Sequence, residues 1–166
     1  MSDFEYLSYA QHFGLPTKLL DWSKNPFVAL YFSISSESDN KDVYVYIYYM
    51  DDLSSGARSV IDSDLIESNI DPLTISNDII RFIRPIIDLS MSMQESVFTI
   101  QSDPFLPIED VVPSSDLQIL TINGKQKKTI REKLSRLGIN QHKLFPGLEG
   151  LCKNLRWVWE SYNYSQ

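Results

Sequence analysis

Apolar residues recur along the chain at two spacings, about 3.6 residues and two residues, which predict helices and strands respectively. Ser2 and Glu5 form a capping-box pattern and Gly14 follows as a helix stop, so a helix is predicted over residues 3–13. The same spacing predicts three further helices: one from Asn25-Pro26 to Ile34, one through Ile130, Leu134 and Leu137 that stops before Gly138, and one through Leu148, Leu151, Leu155 and Trp159. In the last helix the apolar stripe is expected to face the core, with Cys152 as a small buried residue.

The spacing of two predicts strands, most clearly over residues 43–49, where aliphatic residues alternate with tyrosines. Further strands are predicted over residues 79–83, 97–100 and 117–122, and a helix or two within residues 51–77. The chain has no internal repeat and no linker. We therefore predict a single mixed α+β domain over residues 1–166, a small antiparallel or split sheet with flanking helices.

Composition and charge narrow the class of protein. With 166 residues, 43% hydrophobic and 22% charged, the chain has enough apolar residues for a folded core. Its formal charge of −7 argues against a general duplex-DNA binder. Residues 125–136 form a local basic helix face, for which a solvated surface is favoured over a contact with RNA or DNA.

Several kinds of site are disfavoured by residue counts. Cys152 is the only cysteine, so neither a disulfide framework nor a multi-thiolate zinc site is expected, and with two histidines no metal centre is expected. No apolar run approaches the ~20 residues that span a bilayer, and residues 1–30 lack a basic start followed by an apolar stretch. We expect a cytoplasmic protein without a membrane partner.

One stretch is distinctive. Residues 10–32 run AQHFGLPTKLLDWSKNPFVALYF, which resembles the signature of the FRG domain, a family named after a Phe-Arg-Gly motif. Lys18 and Ser23 stand where the family usually has Arg and Thr. Residues 94–99 resemble its QxGxFT block, with Ser96 in place of the glycine, and residues 131–151 resemble its closing block.

The Phe-Arg-Gly block of that family lies upstream of the Gln11-His12 pair, and this chain begins after the position at which the block is expected. The resemblance therefore implies either a fragment or a variant that lacks its first strand.

The FRG signature itself resembles the core of ADP-ribosyltransferases, whose second motif reads Ser-Thr-Ser-x-x-Pro-x-Val-Ala-x-x-Phe. Residues 21–32 align with this motif without a gap, so that Asp21 and Ser23 take the places of its first and last serines. The resemblance implies an ADP-ribosyltransferase-like fold, NAD as substrate, and short polar side chains that hold the ribose.

The catalytic candidates implied by the resemblance are Asp21, Gln94 and Glu95. Cleavage of NAD passes through an oxocarbenium-like state at the ribose, which a nearby carboxylate stabilises. The third motif of ADP-ribosyltransferases is a strand that reads Gln/Glu-x-Glu, and Gln94 aligns with its first position. The glutamate expected two positions later is Ser96, so Glu95 or Asp21 would have to replace it. Neighbouring residues of a strand point to opposite faces, so only one of Gln94 and Glu95 is expected to face the cleft.

Five residues are candidates for binding the dinucleotide: His12, Thr17, Lys18, Trp22 and Ser23. Structural alternatives stay open for several candidates. His12 could complement the helix dipole and Trp22 could belong to the core. Lys18 could be a solvated lysine, and Asp21 could cap the following helix.

The resulting hypothesis is an ADP-ribosyltransferase-like protein that modifies a macromolecule, protein or nucleic acid, as a toxin or phage-defence effector. The alternative is a catalytically inactive binding or interaction module of the same fold, completed by a partner strand or an upstream fragment. An antitoxin and self-association are further expectations for its partners.

Overall fold

The computed structural model describes residues 3–35, 40–49, 60–61, 80–82 and 89–163. The helices are α1 (Asp3–His12), α2 (Pro26–Ser33), α3 (Leu89–Gln94), α4 (Ile108–Val111), α5 (Lys127–Arg136), α6 (Gln141–Leu144) and α7 (Leu148–Asn163). The strands are β1 (Leu19–Ser23), β2 (Val43–Tyr48), β3 (Val60–Ile61), β4 (Ile80–Phe82), β5 (Ser96–Ile100) and β6 (Leu117–Ile122). The predicted α+β class, small sheets with flanking helices, is confirmed.

The strands form two small sheets. One has four strands in the order β1-β5-β4-β3, and the other pairs β2 with β6. β4 runs antiparallel to β5, with Arg81 opposite Thr99, whereas β3 runs parallel to β4. The region 51–77, in which helices were predicted, lies outside the described residues except for Val60–Ile61, which is strand β3.

The chain forms two compact units, each assembled from alternating stretches. The first unit contains Met1–Trp22, Tyr46–Pro85 and Ser96–Gln118, and the second unit contains Ser23–Val45, Ile86–Glu95 and Ile119–Gln166. Because the stretches alternate along the sequence, this division does not cut the chain into consecutive domains. The single domain over residues 1–166 stays a prediction.

The core of the first unit is built around β5. Val97, Phe98, Thr99 and Ile100 are all buried. The sequence of a strand that is covered on both faces is a nearly continuous run of apolar residues, without alternation. This explains the Val-Phe-Thr-Ile sequence of β5. The hydroxyl of buried Thr99 accepts a hydrogen bond from Trp22 Nε1 at 2.9 Å, so the single polar side chain in this run has a partner.

The core of the second unit is a cluster of side chains from three helices. Its buried members are Val28, Tyr31 and Ile34, at or just after α2, with Leu134 of α5 and Leu144 of α6. Removal of their apolar surface from water stabilises the unit by about 1.5–3 kcal/mol for each fully buried side chain.

Two glycines end helices as predicted. Gly14 follows α1 with φ of +90°, and Gly138 follows α5 with φ of +83°. This left-handed conformation is strained for residues with a Cβ atom, which is why glycine marks these helix ends in the sequence.

The prediction for the last helix is wrong in its orientation. Three of the four residues of its stripe are exposed rather than buried, Leu148 by 76%, Leu155 by 57% and Trp159 by 67%, whereas Leu151 is half-buried. Cys152 is exposed as well. The side of α7 that packs instead includes Trp157, whose ring lies 4.8 Å from the guanidinium carbon of Arg131. Helical spacing identifies an apolar face of a helix. α7 has apolar residues on two faces, and the face that packs is the one that includes Trp157.

Two leucines close together in the chain provide a matched test of this core. Leu144→Ala empties a fully buried position and is expected to lower the free energy of unfolding by about 2–5 kcal/mol. Leu148→Ala removes the same atoms from an exposed position and is expected to change it by less than about 0.5 kcal/mol. Urea denaturation followed by tryptophan fluorescence measures both, and equal effects would contradict the described packing.

Candidate functional site

The start of α2 is fixed by residues 23–27. β1 ends at Ser23, and Asn25 caps the helix, its Oδ1 accepting a hydrogen bond from Phe27 N at 3.0 Å. Pro26 occupies the first helical turn, where its missing N–H costs nothing. The Asn-Pro pair in the sequence thus defines where the strand gives way to the helix.

The turn after α3 lies against this helix start. α3 ends at Gln94, Glu95 forms the turn and β5 begins at Ser96. Ser23 Oγ donates to the Gln94 carbonyl at 2.7 Å, and Lys24 N donates to the Glu95 carbonyl at 3.1 Å. The candidates predicted from two separate sequence blocks, Ser23 on one side and Gln94 and Glu95 on the other, are therefore brought together.

A side-chain hydrogen bond completes the arrangement. Asn25 Nδ2 donates to Glu95 Oε1 at 3.0 Å, so one amide caps α2 with its oxygen and holds a carboxylate with its nitrogen. Ser23 Oγ also accepts from Asn25 N at 3.1 Å. We call Ser23, Asn25, Gln94 and Glu95, all members of the second unit, the carboxylate turn.

Within the carboxylate turn, Gln94 and Glu95 differ in environment. Gln94 is half-buried, and its Nε2 donates to the Leu144 carbonyl at 3.1 Å, whereas Glu95 is exposed. We predicted both residues on a strand, but they lie at the end of α3 and in the turn before β5. Of the two side chains, only that of Glu95 is exposed. The two side chains lie in different environments because the turn separates them, and not because neighbouring strand residues point to opposite faces.

The backbone of Glu95 is strained. Its φ of +50° is left-handed, and no other described residue except glycine has a positive φ. For a residue with a Cβ atom this conformation costs about 1–2 kcal/mol. Such strain is found where a side chain must be held in one place, and here the hydrogen bonds to Lys24 and Asn25 hold it.

Trp22 and Thr17, predicted to bind the dinucleotide, lie in the first unit. The half-buried indole of Trp22 binds Thr99 and lies 5.8 Å from the Tyr48 ring, measured between centroids. Thr17 Oγ1 donates to Gln11 Oε1 and accepts from Leu19 N at 3.1 Å. Both side chains make structural contacts that fix the approach to β1.

Two of the three remaining candidates of the first unit, Asp21 and His12, are exposed. Asp21 is exposed on β1, and Lys18 is half-buried just before it. His12 is exposed in the last turn of α1, its ring edge-on to that of Phe13 at 5.3 Å. A cation at a helix C-terminus is favoured by the helix dipole, so a structural role for His12 is consistent with its position.

Two further features bear on the chemistry of these residues. Within the part of the chain that the structure describes, no group of three or more His, Cys, Asp or Glu side chains could hold a metal ion. No helix there is both long and apolar enough to cross a membrane.

Sequence reasoning missed the second role of Asn25. The Asn-Pro pair identified it as a helix cap, but its contact with Glu95 joins residues that lie 70 positions apart. A local pattern carries no signal for such a contact. Thr99 was missed as the partner of Trp22 for the same reason.

A comparison with known protein families finds a match in the first quarter of the chain. Residues 1–42 match the FRG domain. The match contains α1, β1 and α2, and thus Asn25, whereas Gln94 and Glu95 lie beyond it. No curated protein and no solved structure matches the chain. The resemblance that the sequence suggested is confirmed over the matched residues.

The strain at Glu95 can be tested by two substitutions that both remove the carboxylate. Glu95→Gly is expected to be more stable than Glu95→Ala by about 1 kcal/mol, because glycine adopts a positive φ without a steric cost. At a position with a negative φ, the alanine variant would be the more stable of the two, or the two variants would differ little. Urea denaturation of the two variants measures it, and an alanine variant as stable as the glycine variant would rule out a left-handed turn.

Proposed function

We propose that this FRG-domain protein binds NAD and transfers ADP-ribose to a macromolecule. Two findings support the proposal: the family match over residues 1–42, and the meeting of the second- and third-motif candidates in the carboxylate turn. As a toxin or phage-defence effector it would act in the cytoplasm, where NAD and its target occur together.

The observation that carries the proposal is the anchored carboxylate of Glu95. By the resemblance to ADP-ribosyltransferases, Ser96 occupies the place of their glutamate, so the proposal needs another carboxylate. Glu95 is exposed, one position earlier, and Asn25 fixes one of its oxygens at 3.0 Å. The other oxygen remains available to a ligand, since a carboxylate has about four acceptor sites.

In the proposed reaction the bond between the nicotinamide nitrogen and ribose C1′ breaks, and nicotinamide leaves with the electron pair. The positive charge that develops on the ribose is stabilised by the negative charge of Glu95. A hydroxyl, amine or ring nitrogen of the target then attacks C1′, and its proton passes to the Glu95 carboxylate. The products are nicotinamide and the ADP-ribosylated target.

The other residues of the carboxylate turn are assigned as positioning residues. Ser23 and Gln94 are tied to protein groups, through the Gln94 and Leu144 carbonyls respectively, and they fix the backbone that presents Glu95. His12, Thr17, Lys18, Trp22 and Asp21 stay predictions from the resemblance, with Asp21 as the alternative carboxylate.

The second candidate is a binding module without turnover. It is favoured by one specific observation, that Ser96 stands where the resemblance places the catalytic glutamate, and a serine cannot supply a negative charge. Binding of NAD without release of nicotinamide distinguishes this candidate from the transferase.

If Glu95 is the catalytic carboxylate, removing its charge is expected to slow the release of nicotinamide without weakening the binding of NAD. Glu95→Gln keeps an oxygen that can accept from Asn25 but removes the charge, so NAD affinity is expected to stay within about threefold while nicotinamide release falls by about 100-fold or more. Titration calorimetry measures the affinity, and chromatography of released nicotinamide measures the turnover.

Glu149→Gln is the matched control, the same change at an exposed glutamate of α7 that also has a side-chain partner, and it is expected to leave both quantities nearly unchanged. Asp21→Asn tests the alternative carboxylate. A large loss in Asp21→Asn with none in Glu95→Gln would transfer the role to Asp21. A wild-type protein that does not bind NAD would overturn the proposal.

A further inference from the structure

The outward side of α7 carries a row of apolar side chains. Leu148, Leu155 and Trp159 are each more than half exposed, and Cys152 is exposed between them. Successive members of the row are four, three and four residues apart, the alternation that two paired helices use for their contact positions. An exposed leucine by itself needs no explanation, but a continuous row on one helix marks an interaction surface. We call Leu148, Cys152, Leu155 and Trp159 the α7 outer row.

The two edges of the α7 outer row differ in chemistry. Glu149 and Arg156 lie along one edge, each one position after a leucine of the row, and their side chains are 83% and 80% exposed. The half-buried residues Leu151 and Val158 lie along the other edge. One edge therefore presents an acid and a base seven residues apart, and the other edge is apolar.

We propose that the α7 outer row is the contact surface between two copies of this chain, whose α7 helices pair antiparallel. In this register Leu148 of one copy lies opposite Trp159 of the other, and Cys152 lies opposite Leu155. Every layer of the contact then combines a larger side chain with a smaller one, as a well-packed interface requires. Because the arrangement is two-fold symmetric, each of these contacts occurs twice, and the row is complementary to itself.

The charged edge selects the antiparallel orientation. Antiparallel helices bring like edges together, so Glu149 of each copy lies beside Arg156 of the other. Parallel helices would instead place this edge against the apolar edge, where the charged side chains would lose water without gaining a partner.

The ion pairs within α7 are compatible with these contacts. Arg156 Nε donates to Glu160 at 2.8 Å, but a guanidinium has five donors and this one is largely exposed. Glu149 binds Lys153 through one oxygen at 2.7 Å, and a carboxylate has about four acceptor sites. Both groups can therefore keep their partners within the helix and bind the second copy as well.

The size of the row determines how strong the pair is. Its exposed apolar side chains offer roughly 400 Å² per chain, or about 800 Å² in a pair. Specific interfaces of this size are weak and transient, so we expect a dissociation constant on the order of 10–100 μM.

A second copy fits the α7 outer row better than a membrane surface does. A helix that lies on an anionic membrane has a basic side next to its apolar one. α7 contains two acidic and two basic residues, so it has no net charge to attract anionic lipid. Alternating signs beside an apolar row are instead typical of a helix that pairs with another helix.

This inference is independent of the proposed function, because association is measured without NAD. Failure of NAD binding leaves the α7 contact unaffected, and a monomeric protein leaves the carboxylate turn unaffected. At the roughly 1 μM used for fluorescence-monitored denaturation the pair is dissociated, so the comparison of Leu144→Ala with Leu148→Ala is unaffected as well.

Sedimentation velocity between about 5 and 500 μM protein measures the equilibrium between monomer and dimer. Leu155→Ala keeps a good helix former but removes an apolar side chain from two layers of the pair, and it is expected to weaken dimerisation at least about tenfold. Leu137→Ala is the matched control, the same change at an exposed leucine outside α7, and it is expected to alter the dissociation constant less than about threefold.

The orientation is tested by mixing two charge variants. In a pair of Glu149→Arg chains, like charges meet at both edge contacts, and the same holds for a pair of Arg156→Glu chains. Each variant alone is therefore expected to dimerise at least about tenfold more weakly than the wild type. In an equimolar mixture opposite charges meet at both contacts, and the affinity is expected to return to within about threefold of the wild type. Misfolding of either variant would not be reversed by mixing.

Three results would overturn the proposal: a wild-type protein that stays monomeric at 500 μM, an equal loss in Leu155→Ala and Leu137→Ala, or a mixture that associates as weakly as its two components. The first result would leave the α7 outer row to a partner other than a second copy.

Discussion

The side-chain amide of Asn25 is the contact on which the candidate site depends. Its oxygen caps α2, a contribution of about 1 kcal/mol, and its nitrogen holds the carboxylate of Glu95. Aspartate could cap the helix but would repel Glu95, and serine could cap it but carries no amide to reach the carboxylate. The beginning of one helix and the position of one acidic group are thus set by the same side chain.

This contact also explains how a strained turn persists. The left-handed backbone of Glu95 costs about as much as one good hydrogen bond returns. Three hydrogen bonds involve this residue: it accepts from Lys24 and Asn25, and its own N–H donates to the Ser92 carbonyl at 3.2 Å. The side chain of the adjacent Gln94 donates to the carbonyl of Leu144, a member of the core cluster of the second unit. The turn that presents the exposed carboxylate is therefore attached to this core.

What the sequence predicted well is local. The Asn25-Pro26 cap and the Gly14 and Gly138 stops depend on neighbouring residues alone, and the structure has them where the pattern indicated. What it predicted poorly depends on partners distant in the chain. Trp159 and Leu155 have helical spacing but lie outward, and Gln94 ends a helix that the apolar pattern did not reveal. The family resemblance brought Ser23, Gln94 and Glu95 into one hypothesis, whereas their actual contacts required coordinates.

The central claim is that the carboxylate turn meets the dinucleotide, and backbone amide shifts during a titration of ¹⁵N-labelled protein with NAD test it most directly. The account predicts that the largest shifts fall on the amides of Lys24, Asn25 and Glu95, the residues whose backbone surrounds the anchored carboxylate. Saturable shifts confined to other parts of the chain, with these three amides unmoved, would contradict it.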